Sequence, residues 1–217
     1  MRAMILAAGR GQRMGALTEA TPKPLLKAGN RMLIEYNIDA LKKAGISEIV
    51  INVSYFKEQI VAALGDGSRY GVSIQYSIEE DRLETGGGIV KALPLLGNTP
   101  FIVVSSDIVT DYPIHELMNK PLQMAHLILV KNPDFHPRGD FCLSEKNEVY
   151  IGQQNNFTFA NLGIYHPDLF LGCQPEYRKL AELWKPAMDA GKISGEYYDG
   201  LWYNIGTPQD LQAFESA

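Results

Sequence analysis

The sequence predicts one α/β domain: a mixed, mostly parallel sheet with helices on both faces, and a small antiparallel lid added by its second half. Three observations predict it. Short apolar runs alternate with amphipathic stretches through the first half, the rhythm of βαβ units. That rhythm breaks after residue 120 into closely spaced strand-like segments joined by turns. The length of 217 residues suits one core of ordinary size and no large multidomain assembly.

Taken in order, Ala3–Ala7 is a short apolar strand that runs into a glycine-rich turn. Over Leu33–Ala44 the residues Leu33, Ile34, Asn37, Ile38 and Leu41 fall at helical spacing, and Gly45 is placed to stop the helix. Glu48–Val53 (EIVINV) reads as a strand buried on both faces. A helix around Phe56–Leu64, a strand at Ser73–Ser77, a helix over Gly87–Leu93 and a strand at Phe101–Ser105 complete the alternation. The second half supplies strand-like Ala125–Val130, Asp140–Leu143, Glu148–Ile151 and Phe157–Tyr165, with a turn at Lys146-Asn147. A helix over Arg178–Ala190, a strand at Leu201–Ile205 and a helix from Pro208 to Ala217 follow. No linker, repeat or low-complexity tract divides residues 1–217, so the chain reads as one domain with halves 1–112 and 113–217.

Charge and cysteine usage narrow the function classes. The formal net charge of −5 disfavours a dedicated nucleic-acid binder, though local donors can still grip an anion. Two cysteines without a pairing motif suit a reducing compartment. No apolar run is long enough to span a bilayer, and the first ten residues lack a signal-peptide pattern. The expectation is a cytoplasmic protein with no membrane or nucleic-acid partner.

Ligands of open α/β sheets bind outside the carboxyl ends of the strands, which directs attention to the turns after Ala7, Val53, Ser77 and Ser105. The first reads Leu6-Ala7-Ala8-Gly9-Arg10-Gly11-Gln12-Arg13-Met14. Its glycines let backbone N–H groups approach one anion, and Arg13 can grip two phosphate oxygens. It is not a dinucleotide fingerprint: Met14 stands where the third glycine belongs, and the next strand ends in Asn52-Val53 with no acid. No P-loop pattern occurs either. Downstream, Thr21-Pro22-Lys23-Pro24-Leu25-Leu26 holds one lysine between two prolines in a stiff, extended segment.

The pair LAAGRGQRM…TPKPLL resembles the signature of the nucleotidyltransferases that make nucleotide-diphosphate sugars. The resemblance implies a Rossmann-like fold with a nucleotide-binding first half and a sugar-binding second half. It implies that Leu6, Ala7, Ala8, Gly9 and Gly11 cradle a nucleoside triphosphate. Arg13 and Lys23 then contact its phosphates and those of a sugar 1-phosphate. Ala16 departs from the proline common there, which implies a looser loop.

The third turn, Arg82-Leu83-Glu84-Thr85-Gly86-Gly87-Gly88, has three glycines opening a helix, which suits close backbone approach to a ligand. By resemblance Glu80, Glu84, Thr85 and Gly86 lie along the base and ribose. The fourth strand ends Ser105-Ser106-Asp107, an aspartate well placed for Mg²⁺, and the family match gives Asp107 that role. The second metal ligand is implied at Asn204 of Tyr203-Asn204-Ile205-Gly206-Thr207-Pro208, a neutral oxygen where aspartate is usual. Scattered histidines make zinc improbable. On the sugar side, Phe159-Ala160-Asn161-Leu162-Gly163-Ile164-Tyr165 is similar to a family strand whose asparagine bonds a sugar hydroxyl. Gly139 and Glu196 inherit sugar-side roles, and Trp184 and Trp202 read as packing residues.

The resemblance implies Mg²⁺-dependent transfer of a nucleotidyl group from a nucleoside triphosphate to a sugar 1-phosphate, by a monomer or dimer. LETGGG, the His166–Phe170 segment and Ser194-Gly195-Glu196-Tyr197 are similar to N-acetylmuramate-1-phosphate uridylyltransferases, which implies UTP and a cell-wall sugar. Mannose-1-phosphate guanylyl transfer is the alternative, since Asn161 and Gly163 suit it equally. A non-catalytic nucleotide-sugar sensor is the alternative of another class, resting on Ser106 and Asn204. A cytidylyltransferase for a non-sugar phosphate shares the first signature and is disfavoured by Asn161.

Overall fold

The computed structural model describes residues 1–216. The first half contains β1 (Arg2–Leu6), the short pair β2 (Lys27–Ala28) and β3 (Arg31–Met32), and α1 (Leu33–Lys43). It continues with β4 (Glu48–Val53), α2 (Lys57–Leu64), β5 (Ser73–Ile78), α3 (Glu84–Leu96), β6 (Phe101–Ser105) and β7 (Ile108–Thr110). The second half adds β8 (Ala125–Lys131), β9 (Cys142–Leu143), β10 (Val149–Tyr150), β11 (Phe157–Tyr165), α4 (Leu180–Asp189), β12 (Ile193–Tyr197), β13 (Trp202–Asn204) and α5 (Pro208–Glu215).

Seven strands form one sheet in the order β12-β8-β11-β6-β1-β4-β5. β11 runs antiparallel to both of its neighbours, and every other adjacent pair is parallel. The mostly parallel sheet is therefore as expected, but β8, β11 and β12 widen it rather than capping it. The remaining antiparallel pairing is confined to the small pairs β9–β10, β7–β13 and β2–β3. Strand β12 was not expected: its sequence ISGEY carries serine and glycine, and pairing with β8 outweighs that weak propensity. Helix α3 begins three residues before the expected Gly87, and Ala217 lies outside the described residues.

Each face of the sheet is closed by its own apolar layer. Ile34, Ile38 and Leu41 of α1, with Ile60 and Leu64 of α2, pack on one face. Ile89 and Leu96 of α3, with Leu180, Trp184 and Met188 of α4, cover the other. Burying a side chain of this size contributes roughly 1.5–3 kcal/mol, so these stripes fix which side of each helix meets the sheet. Buried Asn37 in α1 stays satisfied by donating to the Ile108 carbonyl at 3.0 Å.

Strand β11 carries an irregularity. Its register against β8 shifts between Phe159 and Gly163, and Asn161 inside that interval has φ of 57°. A bulge of this kind turns a side chain out of the regular alternation.

Candidate active site

A cleft of about 700 Å³ runs across the carboxyl ends of β6, β1, β4 and β5. Leu6, Ala7, Ala8, Gly9, Gly11 and Arg13 line its middle, Lys23, Asp107 and Asn161 one end, and Glu80, Glu84 and Thr85 the other. Twelve of the sixteen residues singled out by sequence thus share one cavity.

The turn after β1 is shaped by its second glycine. Gly11 has φ of 66°, and a Cβ there would sit 3.0 Å from the Lys23 Cβ and 3.1 Å from the Thr18 Cγ2. Only glycine combines that backbone with so close an approach of Lys23. Gly9 has nothing within 4 Å of a built Cβ, so the first glycine faces open cleft. Met14, where a dinucleotide site wants its third glycine, is fully buried beneath α5 with Leu26, Leu33 and Ile205.

Lys23 was expected in an extended segment. Pro22 is extended, but Lys23–Leu25 winds into one 3-10 turn, with the Leu26 N–H bonded to the Lys23 carbonyl at 3.1 Å. Pro24 explains the difference, because its fixed φ and missing donor suit a first helical turn. The turn points Lys23 inward. Its ammonium lies 2.5 Å from Oδ2 of Asp107, with only 10% of the lysine side chain exposed. The other carboxylate oxygen accepts from the Ser105 hydroxyl at 2.7 Å.

The 204–207 segment closes this end. The Ile205 N–H bonds the Asp107 carbonyl at 2.9 Å, and a Cβ on Gly206 would lie 3.1 Å from Nη2 of Arg13. Gly206 therefore lets the guanidinium lie against the backbone. Asn204 pairs with Ile108 at the end of β13, one residue from that anchor, and does not line the cleft. Among the described residues no cluster of three His, Cys, Asp or Glu could hold a metal by itself. The Asp107 carboxylate is a hard oxygen donor in the cleft, and it fits a cation that shares it with Lys23 and completes its shell with phosphates and water.

At the opposite end, Glu80 is mostly exposed and paired with Lys57 at 3.0 Å. Glu84 has φ of 57°, a conformation glycine adopts without cost, and is bonded by Arg82 and by the Tyr177 hydroxyl. Buried Glu79 was missed, although it sits beside the singled-out Glu80 and lines the cleft. Burial holds its carboxyl above the usual carboxylate range, against hydrogen bonds from Asn52 and the Leu83 backbone. Asn52, Ser105, Tyr55 and Gly206 were also missed as site residues; position at or just beyond a strand's carboxyl end is the signal that could have found the first three.

Three further candidates stand outside the cleft. Gly86 is buried in α3, where a Cβ would lie 2.8 Å from the Arg178 carbonyl, so it faces protein backbone. Gly139 donates its N–H to the His136 carbonyl within its own loop. Glu196 is bonded by Tyr112 and, at 2.5 Å, by Lys120. Burial raises its pKa, and these hydrogen bonds more than offset that, holding the carboxyl below its usual range. Trp184 and Trp202 pack as expected, and the Trp202 indole N–H donates to the Ala160 carbonyl at 3.0 Å.

Residues 2–138 match the family model described as nucleotidyl transferase. The chain is 45% identical to the N-acetylmuramate alpha-1-phosphate uridylyltransferase of Neisseria meningitidis serogroup B, over 95% of this chain and 94% of that one. It is 30% identical to the mannose-1-phosphate guanyltransferase of Aspergillus fumigatus, over 97% of this chain and 62% of the longer relative. Among solved structures, HddC from Yersinia pseudotuberculosis, complexed with GMP-PN, superposes with a TM-score of 0.80 at 18% identity. That match covers 99% of this chain and 98% of HddC, and at such identity it speaks for the fold alone.

Proposed function

Because this chain belongs to the nucleotidyl transferase family, we propose that it transfers a uridylyl group from UTP to N-acetylmuramic acid 1-phosphate, releasing pyrophosphate. The carrying observation is convergence: Arg13, Lys23 and Asp107, far apart in sequence, line one cleft with the glycine turn. The choice of uridylyl group and of sugar is supported by the relative that is 45% identical along nearly the whole chain.

In this reading a phosphate oxygen of the sugar 1-phosphate attacks the α-phosphorus in line. A new P–O bond forms, the bond from the α-phosphorus to the bridging oxygen breaks, and that oxygen leaves with pyrophosphate. The attacking phosphate is already anionic near neutral pH, so no general base is needed. Catalysis rests on positioning and charge neutralisation. Lys23 is stiffly held where the reacting phosphates meet, and Arg13 grips the departing pair. Asn161, turned into the cleft by the bulge, bonds a sugar hydroxyl. A divalent cation, Mg²⁺ in this reading, would be held by Asp107, with Asn204 joining it only by turning from the end of β13 toward the cleft, and would screen phosphate charge when bound.

The reading includes a cytoplasmic role in cell-wall sugar recycling. No helix among the described residues is long and apolar enough to cross a membrane. Pyrophosphate release with UTP or GTP, each paired with N-acetylmuramic acid 1-phosphate or mannose 1-phosphate, tests it. The expected result is turnover with UTP and the muramic acid phosphate, lost on chelation and restored by Mg²⁺. Turnover with GTP and mannose 1-phosphate would favour the second reading, which the guanyltransferase relative supports. A chain that bound nucleotide sugar and released nothing in any arm would be a sensor.

A further inference from the structure

Beneath the cleft runs a buried polar chain that the transfer reaction leaves unexplained. The Ala7 N–H, where β1 opens into the glycine turn, donates to Oδ1 of Asn52 at 2.9 Å. The amide of Asn52, at the carboxyl end of β4, donates in turn to Oε1 of Glu79 at 2.7 Å. Asn52 and Glu79 are each 3% exposed, and both line the cleft. The chain is tightly enclosed: a Cβ on Gly88 of α3 would lie 2.5 Å from Oε1 of Glu79 and 3.0 Å from Nδ2 of Asn52. Three strand ends and helix α3 therefore meet at one side chain.

We propose that Asn52 is a positioning residue, whose amide sets the height of the phosphate-binding turn relative to the floor beneath Glu80, Glu84 and Thr85. An amide suits this place because it accepts from a backbone N–H through its oxygen and donates to a carboxyl group through its nitrogen at once. A hydrophobic residue would strand both partners in a buried site. The inference rests on reading the cleft as a nucleoside triphosphate site. Misalignment there weakens grip on the triphosphate while leaving the sugar phosphate end, around Asn161, undisturbed.

The Asn52→Asp variant gives a signature that a purely structural role lacks. It keeps the acceptor for Ala7 and replaces the donor to Glu79 by a second carboxyl group. Two carboxyl groups in that contact share a proton at low pH, which restores the link, and repel when both ionise. Glu79 already sits above its usual range through burial, with Lys91 of α3 the charged group that reaches it.

Equilibrium dialysis of UTP and GTP with Mg²⁺ onto the wild-type protein, Asn52→Asp and Asn52→Leu, at about pH 6 and about pH 8, tests this. For the nucleotide that wild type binds, Asn52→Asp should bind about tenfold more weakly at the higher pH and recover to within about threefold at the lower. Asn52→Leu should stay weak at both, and the KM for sugar phosphate should hold within about twofold in each variant that turns over. Unchanged nucleotide affinity, equal losses at both sugar and nucleotide, or loss of the native circular dichroism in Asn52→Asp would each overturn the proposal. A wild-type protein that binds neither nucleotide would instead overturn the reading beneath it.

Discussion

The ammonium of Lys23 lies 2.5 Å from Oδ2 of Asp107, joining residues 84 positions apart at one end of the cleft. Each neutralises the other where side-chain exposure is 10% and 18%. Substitution of Lys23 by alanine removes one preorganised cation and leaves Asp107 with Ser105 as its partner. The Lys23→Ala variant should lose on the order of 3 kcal/mol in kcat, measured as pyrophosphate release under saturating substrates. Near-normal turnover would remove the lysine from the chemistry.

Gly206 offers a milder perturbation of the same site. Its φ is outside the left-handed region, so alanine adds no backbone strain. A Cβ would lie 3.1 Å from Nη2 and 3.2 Å from Cζ of Arg13, and the guanidinium must shift by a few tenths of an ångström. The Gly206→Ala variant should raise the KM for nucleoside triphosphate by about 3–10-fold. Its melting temperature should stay within about 2 °C of wild type, because the group that moves is exposed.

The three glycines of the third turn serve packing. A Cβ on Gly87 would fall 1.9 Å from the Glu176 carbonyl, and backbone cannot yield as a side chain can. Gly87→Ala should therefore destabilise the fold by about 2–3 kcal/mol in denaturant unfolding. A neutral result would mean that the segment before α4 swings aside freely.

Acid should weaken the second half through His126. Burial pushes this imidazole below its ordinary 6.5; the Glu196 carboxylate opposes that effect and Lys120 adds to it. A depressed folded value means stability fully present above 6.5 and lost as pH falls through the folded value. Glu196, also held low, acts with the same sign at lower pH, whereas raised Glu79 has its contribution in acid and loses it as pH rises. Thermal unfolding from about pH 7.5 to about pH 5.5 should show a smaller fall for His126→Gln than for wild type.

The central strands were legible because burial on both faces leaves a continuous apolar signature, as in EIVINV and Phe101–Ser105. That the glycine turn, Arg13 and Lys23 share one cleft was legible for a different reason: the two segments together match a family signature, which neither does alone. What stayed hidden depends on distant pairing. Strand β12 exists because β8 accepts it, and Glu196, expected on the sugar side, is taken up by Tyr112 and Lys120 outside the cleft. Glu79 and Glu80 are adjacent acids in sequence, and only the sheet decides that the first is buried and the second exposed. The LETGGG glycines looked like an approach route for ligand, yet Gly86 and Gly87 are spent on the 176–180 backbone.

The kink in β11 makes spacing a determinant of what the pocket presents. Asn161 reaches the cavity because the strand changes phase between Phe159 and Gly163, so the count of residues in that interval selects the side chain delivered there. Deleting one residue would bring a different group to the rim while every flanking residue kept its identity. A chain with a different count at this corner would present another side chain to the cleft while the neighbouring strand ends kept theirs.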